Sequence, residues 1–517
     1  MSRASLFALP LFLPVLGCAA ANDGRPERAG NGGSIGAGGD RGMMPATGGA
    51  TGSTGGAGVG GLGGAGSGGT TATGGATGTG GAGARDGGTD TGPVGAGGGA
   101  GGRAGTGGAG GTISGSLASI VDERPIGGAA LQSGTTGGGT YAAALAAGNV
   151  VNVTSVSQFL GAVAGATPKI ILIAAGTYDF TTTPTTVQVC HVACNPTTPV
   201  AFEATGSFFC PAGADLLNAT LTSRKLNVGS NKTIIGLGAG ATLKNLEINI
   251  SNSSNIILRN LTLSDINRGI LDQGDALLLW PSDHVWVDHC TFVNASHSFL
   301  NIASGWDAAG NLTTLTGYMT FSWNHFLGTT TNSCGGRTHF AIGTNRNPGL
   351  TFHHNWIDNS NGRNPSLFGP FTWVHLFDNY FSTITYYGVS ALCGASTLLE
   401  GNAFSKVSWA IYNNDGGAPT YSYCHTGYFG NVYAPLNDAT YGARNNLLDA
   451  ASTTNLGGQT TFSPAVALPT VVSGLTYRVT VPAAPGFAAT SYTYTLDASP
   501  STVATTIPAG AGVGHLF

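Results

Sequence analysis

From about Val150 onward, the chain is a series of short apolar strands that carry a small or amide-bearing residue at one recurring place. Intervals with a floor in the low twenties, and a few longer members, are expected if each turn of a coil has a minimum length and some turns carry an inserted loop. A column of amide side chains at the bends is typical of a parallel β-helix, so the sequence predicts this solenoid. An antiparallel sandwich is the alternative, which the scarcity of hairpin turns disfavours. The pattern centres on seven residues with separations of 24, 29, 35, 31, 24 and 23 positions: Gly236, Asn260, His289, Asn324, Asn355, Asn379 and Asn402.

The sequence also predicts how the solenoid begins and ends. The fold should open with strands at Val150–Phe159 and Ile170–Tyr178. Beyond Asn431 the chain becomes rich in Thr, Ala and Pro, yet scattered Tyr, Val and Leu predict a tail packed along the solenoid. Residues 510–517 are expected to cap it.

The chain before the solenoid has a different composition. Residues from about 30 to 112 are almost wholly Gly, Ala, Thr and Ser, which offer too few bulky apolar side chains to offset the entropy of ordering. This segment is predicted to be a disordered, Gly-rich tether. The predicted organisation is a signal segment at 1–18, a linker at 19–115 and a folded domain at 116–517.

The first 18 residues predict export. The apolar run from Leu6 to Leu16 is too short to span a bilayer. It ends at Gly17 and Cys18, a pattern similar to a bacterial lipobox, in which the cysteine is lipidated. An ordinary secretory signal with an incidental cysteine is the alternative. We expect an exported protein, extracellular or at the cell surface, held as an outer-membrane lipoprotein and contacting membrane only through a lipid on Cys18.

The net charge and the cysteine content limit the class of binding partner and the cellular compartment that we expect. A net charge of −4 gives no electrostatic support for a nucleic-acid partner. Seven cysteines follow Cys18, and an odd number leaves at least one unpaired, for which Cys290 in an apolar strand is the candidate. Cys190, Cys194 and Cys210 are expected to staple a loop, with their pairing open. A metal site built on Cys190, His191 and Cys194 is the alternative.

Four motifs in the folded domain carry a family resemblance. They are VWVDHC at 285–290, FHHN at 352–355, Arg363-Asn364-Pro365 and the closing YTYTLDASPSTV. Together they resemble polysaccharide lyase family 1, the pectate and pectin lyases, over roughly residues 145–517. The resemblance implies an all-β, right-handed parallel β-helix with side loops. It also implies β-elimination on polygalacturonate, a pectic polysaccharide, by a chain expected to act as a monomer.

The resemblance assigns the catalytic base to Arg363. In the implied reaction a base removes the C5 proton beside the uronate carboxylate, and the C4 oxygen departs to leave a 4,5-unsaturated product. Positive charge must stabilise the enolate-like transition state. An arginine is normally protonated, so this role requires burial and neighbouring positive charge that favour the neutral form. The structural alternative is that Arg363 pairs with a carboxylate or caps a turn.

The resemblance also implies a Ca²⁺ cofactor, with Asp275 matching one of its acidic ligands. The two other ligand positions fall in SHSFLN, where this chain has His297 and Asn301. An imidazole is a poor ligand for a hard cation and an amide adds no charge, so this departure argues against a calcium site. Both residues are instead assigned to substrate binding. Asp272 and Asp307 are nearby in sequence and are candidates to replace the acidic ligands missing at positions 297 and 301.

Three positions bear on recognition of the substrate carboxylate. In the family, a lysine that binds the substrate carboxylate lies just before the glycine that matches Gly343. Alignment on Gly343 places Thr338 at the lysine position. An alignment shifted by one residue places Arg337 there, which we prefer because it restores the positive charge. Arg346 follows Gly343 and is assigned with Arg337 to substrate binding; surface salt bridges are the structural alternative for both. The last arginine of the family pattern RxPxxR is replaced by Phe368.

The remaining motif residues are divided between the scaffold and the site. Asp288 and His289 are expected to be structural, at the recurring bend. Trp286 is expected in the core, whereas Trp306, in the loop SGWDAAG, is the expected sugar-stacking residue.

The leading function is a pectate lyase, and a metal-independent pectin lyase acting on methylated polymer is the first alternative. A second is a non-catalytic β-helix that binds polysaccharide. The departures at 297, 301 and 368 favour that reading, whereas Arg363 argues against it. An inverting galacturonan hydrolase would need clustered carboxylates, and the sequence has no Asp-Asp pair followed by a GHG-like segment.

Overall fold

The fold comes from a computed structural model. The residues that it describes are 116–192, 200–204, 210, 212–267, 270–271, 273–306, 312–329, 338, 341–369, 371–392, 394–412, 440–455, 476–484, 488–497 and 499–517. The predictions for the signal segment, Cys18, the linker, Cys194, Asp272, Asp307 and Arg337 lie outside these residues.

Successive coils of one solenoid form a first face of parallel strands. Successive side chains of each strand point to opposite sides of the sheet, and those that face inward meet the same position of the next coil. The registers are continuous, as in Ile256 opposite Val285 and Val285 opposite Met319. The ten strands are Val150–Val153, Lys169–Ile173, Lys232–Gly236, Ser253–Arg259, Ser282–Asp288, Gly317–Ser322, Leu350–His353, Trp373–Phe377, Ser396–Glu400 and Thr440–Arg444.

A 16-stranded sheet supplies the other two faces of the solenoid. The second face contains Gly176–Asp179, Ala241–Lys244, Leu261–Ser264, Thr291–Val293, His325–Leu327 and Trp356–Asp358. The third face contains Arg224–Asn227, Leu246–Ile250, Leu277–Leu279, Leu300–Ala303, Ile342–Asn345 and Ser366–Phe368. The long strands Tyr380–Leu392 and Ala403–Tyr412 run through both faces, and Leu447–Leu448 and Thr453–Asn455 pair with the second of them. The predicted parallel β-helix is confirmed.

One expected strand is partly a helix. Within Val150–Phe159, the strand ends at Val153 and a helix runs over Val156–Val163. Ser155 caps that helix by accepting a hydrogen bond from the Gln158 N–H. Phe159 and Val163 are buried against the core, so this helix closes one end of the solenoid. Among the described residues, the other helices are Leu117–Asp122, Tyr141–Ala146, Pro500–Gly510 and a 3₁₀ turn at Gly128–Ala130.

Some strands lie outside the coils and include antiparallel pairs, although hairpins are scarce in the sequence. Thr185–Val192 runs antiparallel to both Val200–Glu203 and Leu216–Leu221, and Ile270–Leu271 completes a four-stranded sheet. Gly305–Trp306 pairs with Leu312–Thr314, and Thr476–Val481 pairs with Thr490–Thr495. In the described part of the chain no helix is long and apolar enough to cross a membrane.

Asparagines form the predicted ladder at the bend between the first and second faces. The backbone N–H of Asn324 donates to Oδ1 of Asn355 at 3.0 Å, and Asn355 donates in the same way to Asn379 at 3.0 Å. Each Nδ2 also donates to the next Oδ1, at 3.0 Å for Asn324 and 2.9 Å for Asn355. The ladder continues through Asn402 to Asn446. Its buried amides are therefore satisfied by one another and by the main chain.

The early members of the ladder were predicted one residue too soon. The rung below Asn324 is Cys290, whose N–H donates to Asn324 Oδ1 at 3.0 Å across a separation of 34 residues. His289 and Asn260 occupy the preceding bend position, with φ of 50° and 55°. A left-handed residue directly before the rung turns the chain from the first face to the second. The apolar pattern marks the bend but does not distinguish these two adjacent positions.

The cysteines behave largely as expected. Cys190 and Cys210 form a disulfide bond, which joins two of the three cysteines predicted to staple a loop and removes the alternative of a metal site at Cys190. Cys290 is a buried free thiol, as predicted. Burial raises the pKa of that thiol to about 12.

The closing segment packs along the first face, as predicted. Tyr492 and Tyr494 of its hairpin are buried against Phe377 and Tyr318. Leu516 is buried with the N-terminal helix residues Ile120 and Val121.

Candidate functional site

The third face carries an outer row that crosses three coils. Asn301 lies opposite Gly343, and Gly343 lies opposite Ser366. Neighbouring coils are about 4.8 Å apart, so the row from Asn301 to Ser366 extends about 10 Å. A Cβ added at Gly343 would meet no heavy atom within 4 Å, so the described residues leave the middle of the row open. The row therefore has an opening at Gly343, between the half-buried Asn301 and the buried Ser366.

Arg363 lies in a fixed turn just before this row reaches Ser366. The side chain is mostly enclosed, with 7% of the residue exposed, and its φ is 58°. The Arg363 carbonyl accepts a hydrogen bond from the Ile342 N–H at 2.7 Å. The next residue, Asn364, donates through Nδ2 to the Tyr387 carbonyl at 2.9 Å and accepts from Ser360 Oγ at 2.7 Å. These bonds fix the backbone on both sides of Arg363.

Asp275 lies two coils before Gly343 and gathers the two residues expected at the calcium positions. His297 Nδ1 is 2.9 Å from Asp275 Oδ1, and Asn301 Nδ2 donates to Asp275 Oδ2 at 2.9 Å. The Ser298 N–H and hydroxyl also donate to Oδ1. Burial alone would raise the pKa of Asp275, but the charge of His297 and these hydrogen bonds outweigh it and lower the pKa. The three residues predicted from sequence are thus brought together.

The groups around Asp275 do not fit a Ca²⁺ ion. Ca²⁺ takes six to eight oxygen ligands. Here both oxygens of Asp275 are taken by donors from His297, Ser298 and Asn301, and the Asn301 group turned toward Asp275 is the amide nitrogen. The Asp275 carboxylate is therefore satisfied by hydrogen bonds from His297, Ser298 and Asn301.

A second carboxyl group, Glu247, lies beside Asp275 and was missed in the sequence. It is buried on the third face, and Lys225 Nζ lies 3.6 Å from Oε1. Burial raises the pKa of Glu247 to about 7, with a further contribution from the Asp275 charge that the Lys225 charge opposes. The sequence does indicate a buried acidic residue here, because Glu247 interrupts the apolar run LEINI at 246–250.

Glu247→Gln is expected to stabilise the protein above pH 7 and to have little effect near pH 4. The unfolded chain releases this proton near its ordinary pKa of 4.5, whereas the folded chain holds it to about 7. The folded state binds more protons between these values, so the wild-type free energy of unfolding falls across that window, by up to about 3 kcal/mol. Urea unfolding of both proteins from pH 4 to 8 measures the difference.

A matched control for this effect is Asp179→Asn. Hydrogen bonds from Thr181 and Asn245 lower the pKa of this exposed carboxyl, so its contribution to stability has the opposite pH dependence. A difference between Glu247→Gln and wild type that did not change with pH would contradict the assignment.

Arg346 does not lie where the substrate-binding prediction requires. It is 0% exposed, and its main chain donates to the Phe368 carbonyl at 2.9 Å. Its complete burial leaves no surface for contact with a polysaccharide, which argues against that assignment. The burial of Arg346 could not be predicted from the sequence, because the residue follows the end of an apolar strand. Phe368, which replaces the family arginine, is also buried.

Of the two alternatives at the family lysine position, only Thr338 is described. It is 2% exposed, and its main chain joins the Gly328 carbonyl to the Asn361 N–H, at 2.6 and 2.9 Å. Thr338 is thus a link in the scaffold beneath the Arg363 turn. The side chain of Trp306 lies outside the description, although its backbone pairs in a short strand.

An aromatic cluster borders the Arg363 turn and was also missed. Tyr387 stacks on Tyr412 at 5.0 Å, and Trp409 stacks on Tyr412 at 5.2 Å. Tyr386 lies 5.1 Å from Trp409. A Cβ added at Gly362 would be 3.2 Å from Tyr387 Cε1, so the cluster contacts the residue directly before Arg363. The signal in the sequence is the spacing of TYYG and SWAIY by about one coil.

Trp286, Asp288 and His289 have the scaffold positions expected of them. Trp286 is buried and donates to Ser322 Oγ at 2.9 Å. His289 Nδ1 is 2.7 Å from Asp288 Oδ2. Burial alone would raise the pKa of Asp288, but the charges of His289 and Arg259 and the associated hydrogen bonds hold it well below its usual range.

The stacked coils, the asparagine ladder and the polar row define a parallel β-helix protein with a candidate site on its third face. A pectate lyase family model matches residues 210–515, which is more than half of the chain. The chain therefore belongs to the pectate lyase family, polysaccharide lyase family 1.

Individual relatives share parts of the chain. A probable pectin lyase F of Emericella nidulans is 31% identical over 195 residues, covering 37% of this chain and 40% of the relative. A pectate trisaccharide-lyase of Bacillus licheniformis is 32% identical over 206 residues, covering 37% of this chain and 57% of the relative. The chain thus spans about half the length of the curated relatives it matches. A solved pectate lyase from Bacillus sp. N165, in complex with trigalacturonate, aligns with a TM-score of 0.43 and 19% identity, covering 76% of this chain and 100% of that one.

Proposed function

We propose that this chain is a polysaccharide lyase that cleaves pectic polymer by β-elimination, with Arg363 as the base. The observation that carries the proposal is the position of Arg363 beside the open row formed by Asn301, Gly343 and Ser366. Arg363 is mostly buried in a turn that hydrogen bonds fix on both sides. A base held in a fixed turn beside the opening at Gly343 is an arrangement that suits general-base catalysis.

The proposed reaction balances without a cofactor. The neutral guanidine of Arg363 takes the proton from C5 of a uronate unit. The electron pair of that C–H bond forms the C4–C5 double bond as the bond from C4 to the glycosidic oxygen breaks. The departing oxygen takes up a proton from water, and Arg363 returns the proton that it took to solvent. The product carries a 4,5-unsaturated uronide at its new end.

Within this proposal, the Asp275 cluster acts without a bound metal. Asp275 orders His297 and Asn301, and it leaves them as polar groups at one end of the row. These two side chains are proposed to bind the sugar hydroxyl and carboxyl groups. A calcium-dependent pectate lyase would need more oxygen ligands than the described residues supply here.

The substrate we favour within the pectic class is the methyl-esterified polymer. Polygalacturonate carries one negative charge on each unit, and the hydrogen-bonded groups around Asp275 do not fit a cation that would neutralise it. An esterified unit has no such charge. Tyr386 and Trp409, the two half-buried members of the aromatic cluster, offer apolar ring faces for sugar rings and ester methyl groups.

The experiment that tests this function follows the absorbance of the unsaturated uronide with the full-length protein. Polygalacturonate and highly methylated pectin are each supplied with Ca²⁺ and with a chelator. We expect product from methylated pectin at a rate that the chelator leaves unchanged, and slower formation from polygalacturonate. No product from either substrate, with the folded protein still retained on a pectin column, would leave the non-catalytic binding module as the function. Loss of all activity in chelator would instead show that calcium is required.

Export remains part of the proposal. The Cys190–Cys210 disulfide supports an oxidising compartment outside the cytoplasm. The signal at 1–18, the lipid on Cys18, the tether and the monomeric state stay predictions from the sequence.

A further inference from the structure

A cluster of three possible metal ligands lies away from the candidate site, at the bend between the first and second faces. His354 and Asp378 are the left-handed residues of successive coils there, with φ of 55° and 52°. The third member, Asp497, follows the strand Thr490–Thr495 of the closing hairpin. One ligand atom from each of the three lies within 4.8 Å of the others. Two coils and the C-terminal segment thus meet at one point.

The geometry of the cluster is fixed by contacts on every side. His354 Nε2 lies 3.5 Å from Asp497 Oδ1, and the Asp497 N–H donates to Asp378 Oδ2 at 2.8 Å. The His354 ring stacks on Trp323 at 4.6 Å, and its Nδ1 is 3.0 Å from Nδ1 of His353. A hydrogen bond to the other ring nitrogen is what orients a metal-binding histidine. Nε2 is therefore held toward the two carboxylates.

A second observation points to a ligand at this place. Asp378 is 0% exposed, and in the described part of the chain its Oδ1 is buried without a hydrogen-bond partner. Leaving a buried carboxylate oxygen unsatisfied is costly, and a bound cation removes that cost. The backbone of the next coil comes close to this oxygen, since a Cβ added at Gly401 would lie 2.3 Å from Asp378 Oδ1. Gly401 gives the carboxylate the room to lie there.

We propose that His354, Asp378 and Asp497 bind a divalent transition-metal ion of the Zn²⁺ type. One imidazole nitrogen and two carboxylates are a ligand set that Zn²⁺ accepts, with water in the fourth position. Bonds of about 2.0–2.1 Å in a tetrahedron place two ligand atoms about 3.4 Å apart, close to the separation of His354 Nε2 and Asp497 Oδ1. The side chains of His354 and Asp497 are 13% and 15% exposed, which gives the ion and its water an approach. Three protein ligands including an imidazole do not suit Ca²⁺.

The ion would fasten the C-terminal segment to the coils. Asp497 is the only one of the three ligands that belongs to the closing segment, and that segment covers the first face through Tyr492 and Tyr494. Metal binding therefore adds a link between residues 119 and 143 positions apart in sequence, without touching Arg363.

The test is calorimetric titration of the chelator-treated full-length protein with ZnCl₂, and with CaCl₂ and MgCl₂ as separate arms. We expect saturable Zn²⁺ binding, a rise in the thermal unfolding midpoint with Zn²⁺, and neither effect with Ca²⁺ or Mg²⁺. Asp378→Asn and His354→Gln should each weaken the Zn²⁺ affinity at least tenfold and abolish the shift in the midpoint. His354→Gln changes a partly exposed residue, so it serves where Asp378→Asn fails to fold.

Asp283→Asn is the matched control. Asp283 Oδ1 lies 2.7 Å from His284 Nδ1, so this pair repeats the histidine and carboxylate contact without forming part of the three-ligand group. Zn²⁺ binding should be unchanged in this variant. Absence of Zn²⁺ binding in the wild type would overturn the proposal, and so would binding that persists at full strength in both His354→Gln and Asp378→Asn.

Discussion

Replacing Arg363 with alanine is expected to lower kcat for uronide formation about 10³-fold and to leave KM nearly unchanged. A base acts in the transition state, so its removal slows proton abstraction without weakening the binding of the ground-state polymer. The fold should persist, because the hydrogen bond from Ile342 goes to the Arg363 carbonyl and not to its side chain. Steady-state kinetics on methylated pectin, with circular dichroism of both proteins, measure the effect.

Two further variants separate catalysis from structure. Arg363 has φ of 58°, a conformation that glycine adopts without strain, so Arg363→Gly removes the guanidinium while relieving the backbone. Added guanidine should restore part of the activity of Arg363→Gly if the missing group is the base. Arg478→Ala, in the closing hairpin, removes an exposed arginine whose Nη2 donates to Ser491 Oγ, and its activity should equal that of wild type. Activity of Arg363→Ala within tenfold of wild type would remove Arg363 from the role of base.

The solenoid was predictable because a local pattern of apolar strands and polar bends repeats along the sequence. Each coil must bury an apolar strand and close a bend, and asparagine satisfies the buried backbone at that bend, so Asn324, Asn355 and Asn379 mark the period. The predicted ladder position was wrong at His289, because both the left-handed residue and the ladder residue beside it tolerate polar side chains. The helix Val156–Val163 was missed because a capped helix of only about two turns leaves a short apolar pattern.

The candidate site was predictable where one motif places a residue in a turn, and much less so where neighbouring coils meet. Asp275, His297 and Asn301 come together because their coils are adjacent. Burial of Arg346 and of Glu247 depends on what the coils above and below contribute, which strand spacing alone does not give. The aromatic cluster beside Gly362 likewise forms from residues one coil apart.

Arg259→Met is expected to lower the free energy of unfolding by about 3–5 kcal/mol, because it leaves the Asp288 carboxylate buried beside one partner fewer. Arg259 is 1% exposed, and its Nε donates to Asp288 Oδ2 at 2.9 Å. Its Nη1 donates to the Ile120 carbonyl at 2.6 Å, and its Nη2 to Glu123 at 2.7 Å. The guanidinium also lies 4.4 Å from the centre of the Trp286 ring. One side chain therefore joins the N-terminal helix to two coils, and urea unfolding measures its contribution.

The variants around Arg259 show which of these contacts matters. Glu123 is 46% exposed, so Glu123→Gln removes a solvated ion pair and should lower stability by less than about 1 kcal/mol. Adding Asp288→Asn to Arg259→Met removes the uncompensated charge, and the double variant should regain part of the lost stability. The pKa of Asp288 lies well below its usual range, so the deficit of Arg259→Met should shrink as acid protonates that carboxyl in the variant. A loss in Arg259→Met no larger than that in Glu123→Gln would mean that Asp288 is satisfied by His289 and Ser322 alone, and that the arginine contributes only packing.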